Sequence, residues 1–144
     1  MKDEPVLIHG ENHRDERGTL SSYNEFDLTP IKRLYLVEHP ITEVIRAWQL
    51  HKAEQKWFHV IYGSFKIVIV RPDDWNDLAG KVVIKEFILK AGDNKILHVP
   101  GNFGNGFKAL EPFSKMMVFS NFTLQESSND NLRYGNDMWY NWSD

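Results

Sequence analysis

Between residues 31 and 122 the chain breaks into short apolar runs in which β-branched and aromatic residues dominate. They are "IKRLYLVE" (31–38), "EVIRAWQL" (43–50), "KWFHVIYG" (56–63), "FKIVIVR" (65–71), "KVVIKEFIL" (81–89), "KILHV" (95–99) and "KMMVFSNF" (115–122), each of strand length. Turn-forming residues separate them: Glu38-His39-Pro40, "YGS" at 62–64, "RPDDWNDLAG" at 71–80, "AGDN" at 91–94 and "PGNFGNG" at 100–106. Many short strands with little chain between them predict an all-β sandwich or barrel. No long segment repeats its apolar positions at helical spacing, so any helix is short and is expected within "LQESSNDNLRY" (124–134).

Period-two alternation through "EVIRAWQLH" puts Ile45, Ala47, Gln49 and His51 on one face and Val44, Arg46, Trp48 and Leu50 on the other. Gln49 and His51 are thus expected to point the same way, beside the small Ala47. In a small barrel such a face surrounds a ligand; on an edge strand it is merely the solvated side, and periodicity does not choose between the two. In the next run His59 falls on the face opposite Lys56, Phe58 and Val60.

Composition narrows the class. The 144 residues, 42% of them hydrophobic and 13% aromatic, make one domain with a real core, spanning 1–144. A net charge of −3 spread along the chain leaves no basic patch for a phosphate backbone, so nucleic acid is not an expected partner. The absence of cysteine excludes disulfides and thiolate zinc sites and fits a reducing compartment. The N-terminal "MKDEPVLIHGENHRDERG" has no apolar signal core, and no run approaches the roughly 18 apolar residues of a membrane span, so no membrane partner and a cytoplasmic location are expected.

His51 is the group of greatest chemical interest, because imidazole exchanges protons near neutral pH and Gln49, Lys56 and His59 lie close in sequence. Its other reading is a structural or simply exposed histidine. His51 and Glu54 are spaced closely enough to ligate a metal, yet the later "VPGNFGNGF" supplies Asn105 in place of a third imidazole; no metal and no cofactor are expected. That glycine-rich segment (99–107) reads as a tight barrel corner in preference to a phosphate cradle, since no Lys or Ser/Thr follows in the P-loop pattern. The tail "NDNLRYGNDMWYNW" (129–142) carries Tyr134, Trp139, Tyr140 and Trp142, and is expected to dock on the barrel or on a second subunit.

Taken together these segments resemble the cupin family that includes dTDP-4-dehydrorhamnose 3,5-epimerases and dTDP-sugar 3,4-ketoisomerases. The likeness runs from Asp15 to Trp142. "DERG" (15–18) is similar to the family's Asp-x-Arg-Gly, "IRAWQLHKAEQKWFHVIYG" to its Arg-Gly-x-His-x-Gln/His strand and the hairpin after it, "VPGNFGNGF" to Ile-Pro-x-Gly-Phe-Ala-His-Gly-Phe, and "DNLRY" with the "WYNW" ending to its terminal segment. The resemblance implies a cupin double-stranded β-helix, or jelly-roll barrel, with a short helix or turn near the C-terminus. It also implies a homodimer in which strands or N-terminal segments are exchanged, and a nucleotide sugar in the barrel mouth.

Carried over position by position, the resemblance makes Arg17 and Arg46 contacts to the substrate or its diphosphate, and Lys56 the group that stabilises charge on the keto oxygen. Gln49 stands where the epimerases carry their basic histidine, Asn105 where they carry a second one, and Phe119 where a tyrosine proton donor is expected. His51 matches the second histidine of the ketoisomerase pattern. The expected site is therefore His51 and Lys56 as catalytic residues, with Arg17, Arg46, Gln49, Asn105, Trp48, Trp57, His59 and Phe119 around the substrate. The implied function is epimerisation or isomerisation of a dTDP-4-keto-6-deoxyhexose for cell-surface polysaccharide or glycan precursors; the alternative is a catalytically silent nucleotide-sugar or carbohydrate-binding cupin.

Overall fold

A computed structural model describes residues 3–143. The strands are β1 (Val6–His9), β2 (Glu11–Asp15), β3 (Gly18–Ser22), β4 (Arg33–His39), β5 (Ile45–His51), β6 (Lys56–Tyr62), β7 (Ser64–Pro72), β8 (Val82–Lys90), β9 (Lys95–Val99), β10 (Phe103–Ala109), β11 (Ser114–Ser120) and β12 (Leu132–Arg133), with one helix, α1 (Leu124–Ser128), before the last. Two five-stranded sheets, β1-β9-β6-β11-β4 and β12-β5-β10-β7-β8, face each other, while β2 and β3 form a separate hairpin. All seven apolar runs become strands, shifted by at most two residues at either end.

Between the sheets lies a core that includes Phe58, Phe65, Ile67, Ile69, Leu97, Met116 and Val118. A second cluster covers the opposite side of the β5–β10–β7 sheet, where Trp48, Leu50, Val68 and Val70 pack under Trp142, Trp139 and Met138. Strand β7 is therefore buried on both faces, which explains why "FKIVIVR" reads as an almost unbroken apolar run. The C-terminal aromatics form this covering layer, so the tail docks on the barrel of its own chain.

The glycine-rich segment divides: residues 100–102 are the corner that carries the chain from β9 in one sheet to β10 in the other, and the rest is a strand in the middle of its sheet. Its glycines answer to crowding: a Cβ on Gly104 would stand 2.8 Å from Leu50 Cγ, and one on Gly106 2.6 Å from the Cβ of Ala47. Close approach of neighbouring strands thus forbids side chains at both positions. The expected helix is present but shorter than the segment assigned to it. Thr123 caps it, accepting from the Glu126 backbone N–H while the Glu126 carboxylate accepts from the N–H of Thr123.

A bulge changes the faces of β5. Asn105 pairs with Gln49 and Gly106 with Ala47, which leaves Trp48 without a partner on β10. Strict alternation fails there. Ile45 and Ala47 pack with Trp48 and Leu50 in the outer cluster, and Arg46, paired with Phe107, comes to line the same cavity as Gln49.

Candidate active site

An open cavity of about 760 Å³, a size suited to a small organic ligand, lies between the ends of the two sheets. Strand β4 contributes Arg33 and Tyr35, β5 contributes Arg46 and Gln49, β6 contributes Lys56 and β10 contributes Asn105. The far wall comes from the C-terminal segment, with Ser127, Asn131, Arg133 and Tyr134. That wall is tied to β5 by pairing of Leu132 with Leu50 and Arg133 with Gln49, and by reciprocal backbone hydrogen bonds between Trp48 and Tyr134. Asp130 closes the joint: its carboxylate accepts from the backbone N–H groups of Lys52, Ala53 and Glu54 at 2.7–2.8 Å. Those charge-assisted bonds hold its carboxyl below the usual range even though burial opposes them.

Deep in the site Lys56 is 4% exposed and donates to Gln49 Oε1 at 3.1 Å. Burial lowers the lysine to about 8; Arg33 and Arg133 push the same way and Glu54 opposes them. Lys56 and Arg33 both lie over the Tyr35 ring, at 5.8 and 5.4 Å from its centroid. Burial raises the Tyr35 phenol to about 12.

Beneath this surface Glu54, 1% exposed, is held by four groups. Ser120 Oγ and Ser127 Oγ each donate at 2.6 Å, Arg33 Nη2 donates at 3.2 Å, and His51 Nδ1 lies 3.4 Å away. His51 Nδ1 donates to the Asp130 carbonyl at 2.6 Å, which leaves Nε2 as the bare ring nitrogen; it is buried and has no partner. Burial, aided by the Lys56 charge, lowers the pKa of this imidazole.

The structure brings together Arg46, Gln49, Lys56 and Asn105 from the residues singled out in the sequence, with Trp48 at the border. His51, only 3% exposed, sits behind the cavity wall and is not among the residues that line it. Trp57, His59 and Phe119 lie on the other side of their sheet. Trp57 stacks on His98 at 4.5 Å, His59 meets Tyr23 edge-on and Phe119 meets Phe26 edge-on. Arg17 stands at the exposed tip of the β2–β3 hairpin, bound to Asp15 at 2.6 Å. Arg33, Tyr35, Arg133 and Tyr134, all of which line the cavity, are functional candidates that the sequence reading missed.

No family model matches the chain. A curated relative, the probable low-salt glycan biosynthesis epimerase Agl13 of Haloferax volcanii, is 25% identical over 109 residues, covering 72% of this chain and 68% of its own. A 3,4-ketoisomerase from Helicobacter canadensis superposes with a TM-score of 0.70 at 22% identity, covering 90% of both chains. The dTDP-4-dehydrorhamnose 3,5-epimerase of Bacillus anthracis, solved with TDP and pyrophosphate bound, gives 0.73 at 19% identity over 92% of this chain and 79% of that one. In fold the chain is a cupin jelly roll like these enzymes.

Proposed function

We propose that the protein is an epimerase or isomerase of a dTDP-linked 4-keto-6-deoxyhexose, serving cell-surface polysaccharide or glycan precursor synthesis. One observation carries this reading: three arginines and a buried lysine line a cavity of about 760 Å³ in which the described residues place no carboxylate. Such a field fits a diphosphate, and guanidinium forks match its oxygens. Arg33, Arg46 and Arg133 hold the diphosphate, while Gln49 and Asn105, facing each other across paired strands, orient the hydroxyl and keto groups of the sugar. Tyr35, kept protonated by its raised pKa, donates to the oxygen on which charge develops.

The working protein is a homodimer of single-domain chains, 1–144, in the cytoplasm. Two features support the dimer. The β2–β3 hairpin pairs with neither sheet, and the outward leucines of β4, Leu34 and Leu36, are 51% and 56% exposed. An exchanged hairpin would carry Arg17 to the neighbouring subunit. No described helix is long and apolar enough to cross a membrane.

The test is incubation with dTDP-4-keto-6-deoxyglucose in deuterium oxide, followed by NMR of the sugar, with calorimetric titration of dTDP in parallel. Deuterium entering a carbon next to the keto group supports the reaction. Binding without exchange at any pH returns the chain to the class of silent binders, and absence of both removes the substrate assignment.

A further inference from the structure

Six ionisable side chains line the cavity: Arg33, Arg46, Arg133, Tyr35, Tyr134 and Lys56. Guanidinium groups keep their protons at any pH proteins tolerate, and phenols ordinarily titrate near 10. Neither an imidazole nor a carboxylate is found among the described residues lining the space. The histidine nearest in sequence, His51, has its Nδ1–H committed to Asp130 and its ring behind the wall. An isomerase of this kind still has to take a proton from carbon and return it.

We infer that the Lys56 amine is itself the general base of the reaction, a role distinct from electrostatic support of the keto oxygen, and this rests on the substrate class proposed above. The geometry is specific. Lys56 is fixed by one hydrogen bond to Gln49 Oε1, its nitrogen lies over the Tyr35 ring, and it projects into the space where the arginines seat the substrate. Gln49, at the position of the missing imidazole, acts as a positioning residue: its amide oxygen accepts a hydrogen bond from the amine and leaves the lone pair free for the sugar.

Three charged neighbours bear on the titration of this amine, and Arg46 on β5 lines the same cavity. Burial is the largest influence and disfavours the ammonium form, Arg33 on β4 and Arg133 on β12 add to it, and Glu54 just before β6 opposes them. His51 on β5 lies close enough to feel the Lys56 charge and is itself shifted toward the neutral form. With the amine at about 8, a working fraction is neutral at pH 7.5, whereas an unperturbed lysine near 10.4 offers almost none.

The step balances. The neutral amine takes the proton from the carbon next to the carbonyl. The C–H electron pair forms the carbon–carbon double bond, and the carbonyl π pair moves to oxygen, which the Tyr35 hydroxyl protonates to give the enediol. The ammonium then returns its proton to the former carbonyl carbon, while the hydroxyl on the neighbouring carbon gives its proton to the Tyr35 phenolate and its O–H pair becomes the new carbonyl π bond, pushing the double-bond pair onto the carbon that is protonated. One base working from one face suits transfer between neighbouring carbons of an enediol better than inversion, which needs proton delivery from the opposite face.

The experiment is solvent-deuterium exchange into dTDP-4-keto-6-deoxyglucose as a function of pH, for the unaltered chain, Lys56→Arg and Lys56→Ala, each checked for fold by dTDP titration. The expected result is a wild-type rate that rises through a limb near pH 8. In Lys56→Arg, which keeps the positive charge but cannot release it, exchange falls at least 100-fold; in Lys56→Ala it is partly restored by added ethylamine. Exchange in Lys56→Arg within a few-fold of wild type would overturn the inference, since charge alone would then suffice. So would loss of the pH 8 limb in His51→Asn with dTDP affinity kept. If the unaltered chain binds dTDP yet exchanges nothing at any pH, the proposed reaction fails first, and the assignment of Lys56 falls with it.

Discussion

At the scale of single residues, Glu54 decides how the site is held. It is a carboxylate in the interior, satisfied by two serine hydroxyls, a guanidinium and the edge of an imidazole. Removing one charged partner leaves the other buried without compensation, which costs more than the pair contributes when intact. Arg33→Met should therefore destabilise the chain by about 3 kcal/mol, the low end of the range for a broken buried pair, because Arg33 also reaches the cavity. Urea midpoints measure it, and the double variant Arg33→Met/Glu54→Leu should recover part of the loss. Neither residue stands out in the sequence. Arg33 and Tyr35 share the inward face of β4 with Val37, but the leucines between them face outward, so the more apolar side of that strand is the exposed one. A reader of hydrophobicity alone would turn the strand over and send both residues to solvent.

At the scale of elements, the site depends on one irregular pairing. The bulge opposite Asn105 and Gly106 is what sets Arg46 on the cavity side with Gln49, and alternation in "EVIRAWQLH" contains no sign of it. Only the partner strand reveals the offset. The sequence singles out Gln49, Lys56 and Asn105, and each lines the cavity. The segment "VPGNFGNGF" is a corner only as far as Asn102: glycines signal turns when read locally, but Gly104 and Gly106 mark strands packed too closely for a side chain. Gly106→Ala tests this. Its new Cβ would meet Ala47 Cβ at 2.6 Å and Trp142 Cζ2 at 3.0 Å, and neither neighbour is a free surface side chain. The expected cost is about 1–3 kcal/mol, with weaker dTDP binding because Arg46 and Gln49 flank the disturbed pair. Chemical denaturation and calorimetry would show the two effects together; a variant unchanged in both would mean the strands yield easily.

At the scale of the whole molecule, burial of titratable groups sets the response to acid. Desolvation lowers the pKa values of His39, His51 and His98, and His39 is 1% exposed with neither ring nitrogen partnered. The unfolded chain, with histidines near 6.5, binds more protons in the window below that value than the folded one. The histidine contribution to stability is thus complete above about pH 6.5 and falls on acidification until the folded-state values are reached. His39→Leu, which keeps an apolar side chain against Phe65 and Phe107, should flatten that decline and cost little at pH 8. Melting curves from pH 8 to pH 5 give the slope, and an unchanged slope would show that His39 is not among the groups responsible.

The tail extends the same argument to the outer face. Strand predictions stop at residue 122, yet the last segment both walls the cavity and roofs the second cluster, two roles that depend on its return to β5. Its aromatic content was legible; its register against Gln49 was not, because a two-residue strand carries no period. Trp142, 5% exposed and 5.5 Å from the Trp48 ring, is the keystone of that roof. Replacing it by alanine removes a large buried ring and should cost about 3–5 kcal/mol. For a domain of this size that corresponds to a fall of roughly 10 °C or more in Tm. Because Trp48 adjoins Gln49 in the chain and its indole N–H donates to the Met138 carbonyl at 2.8 Å, loosening the roof should also weaken dTDP binding. Calorimetry below the lowered Tm distinguishes that coupling from a purely local loss: retained affinity would mean that the inner wall holds its shape without the outer cluster.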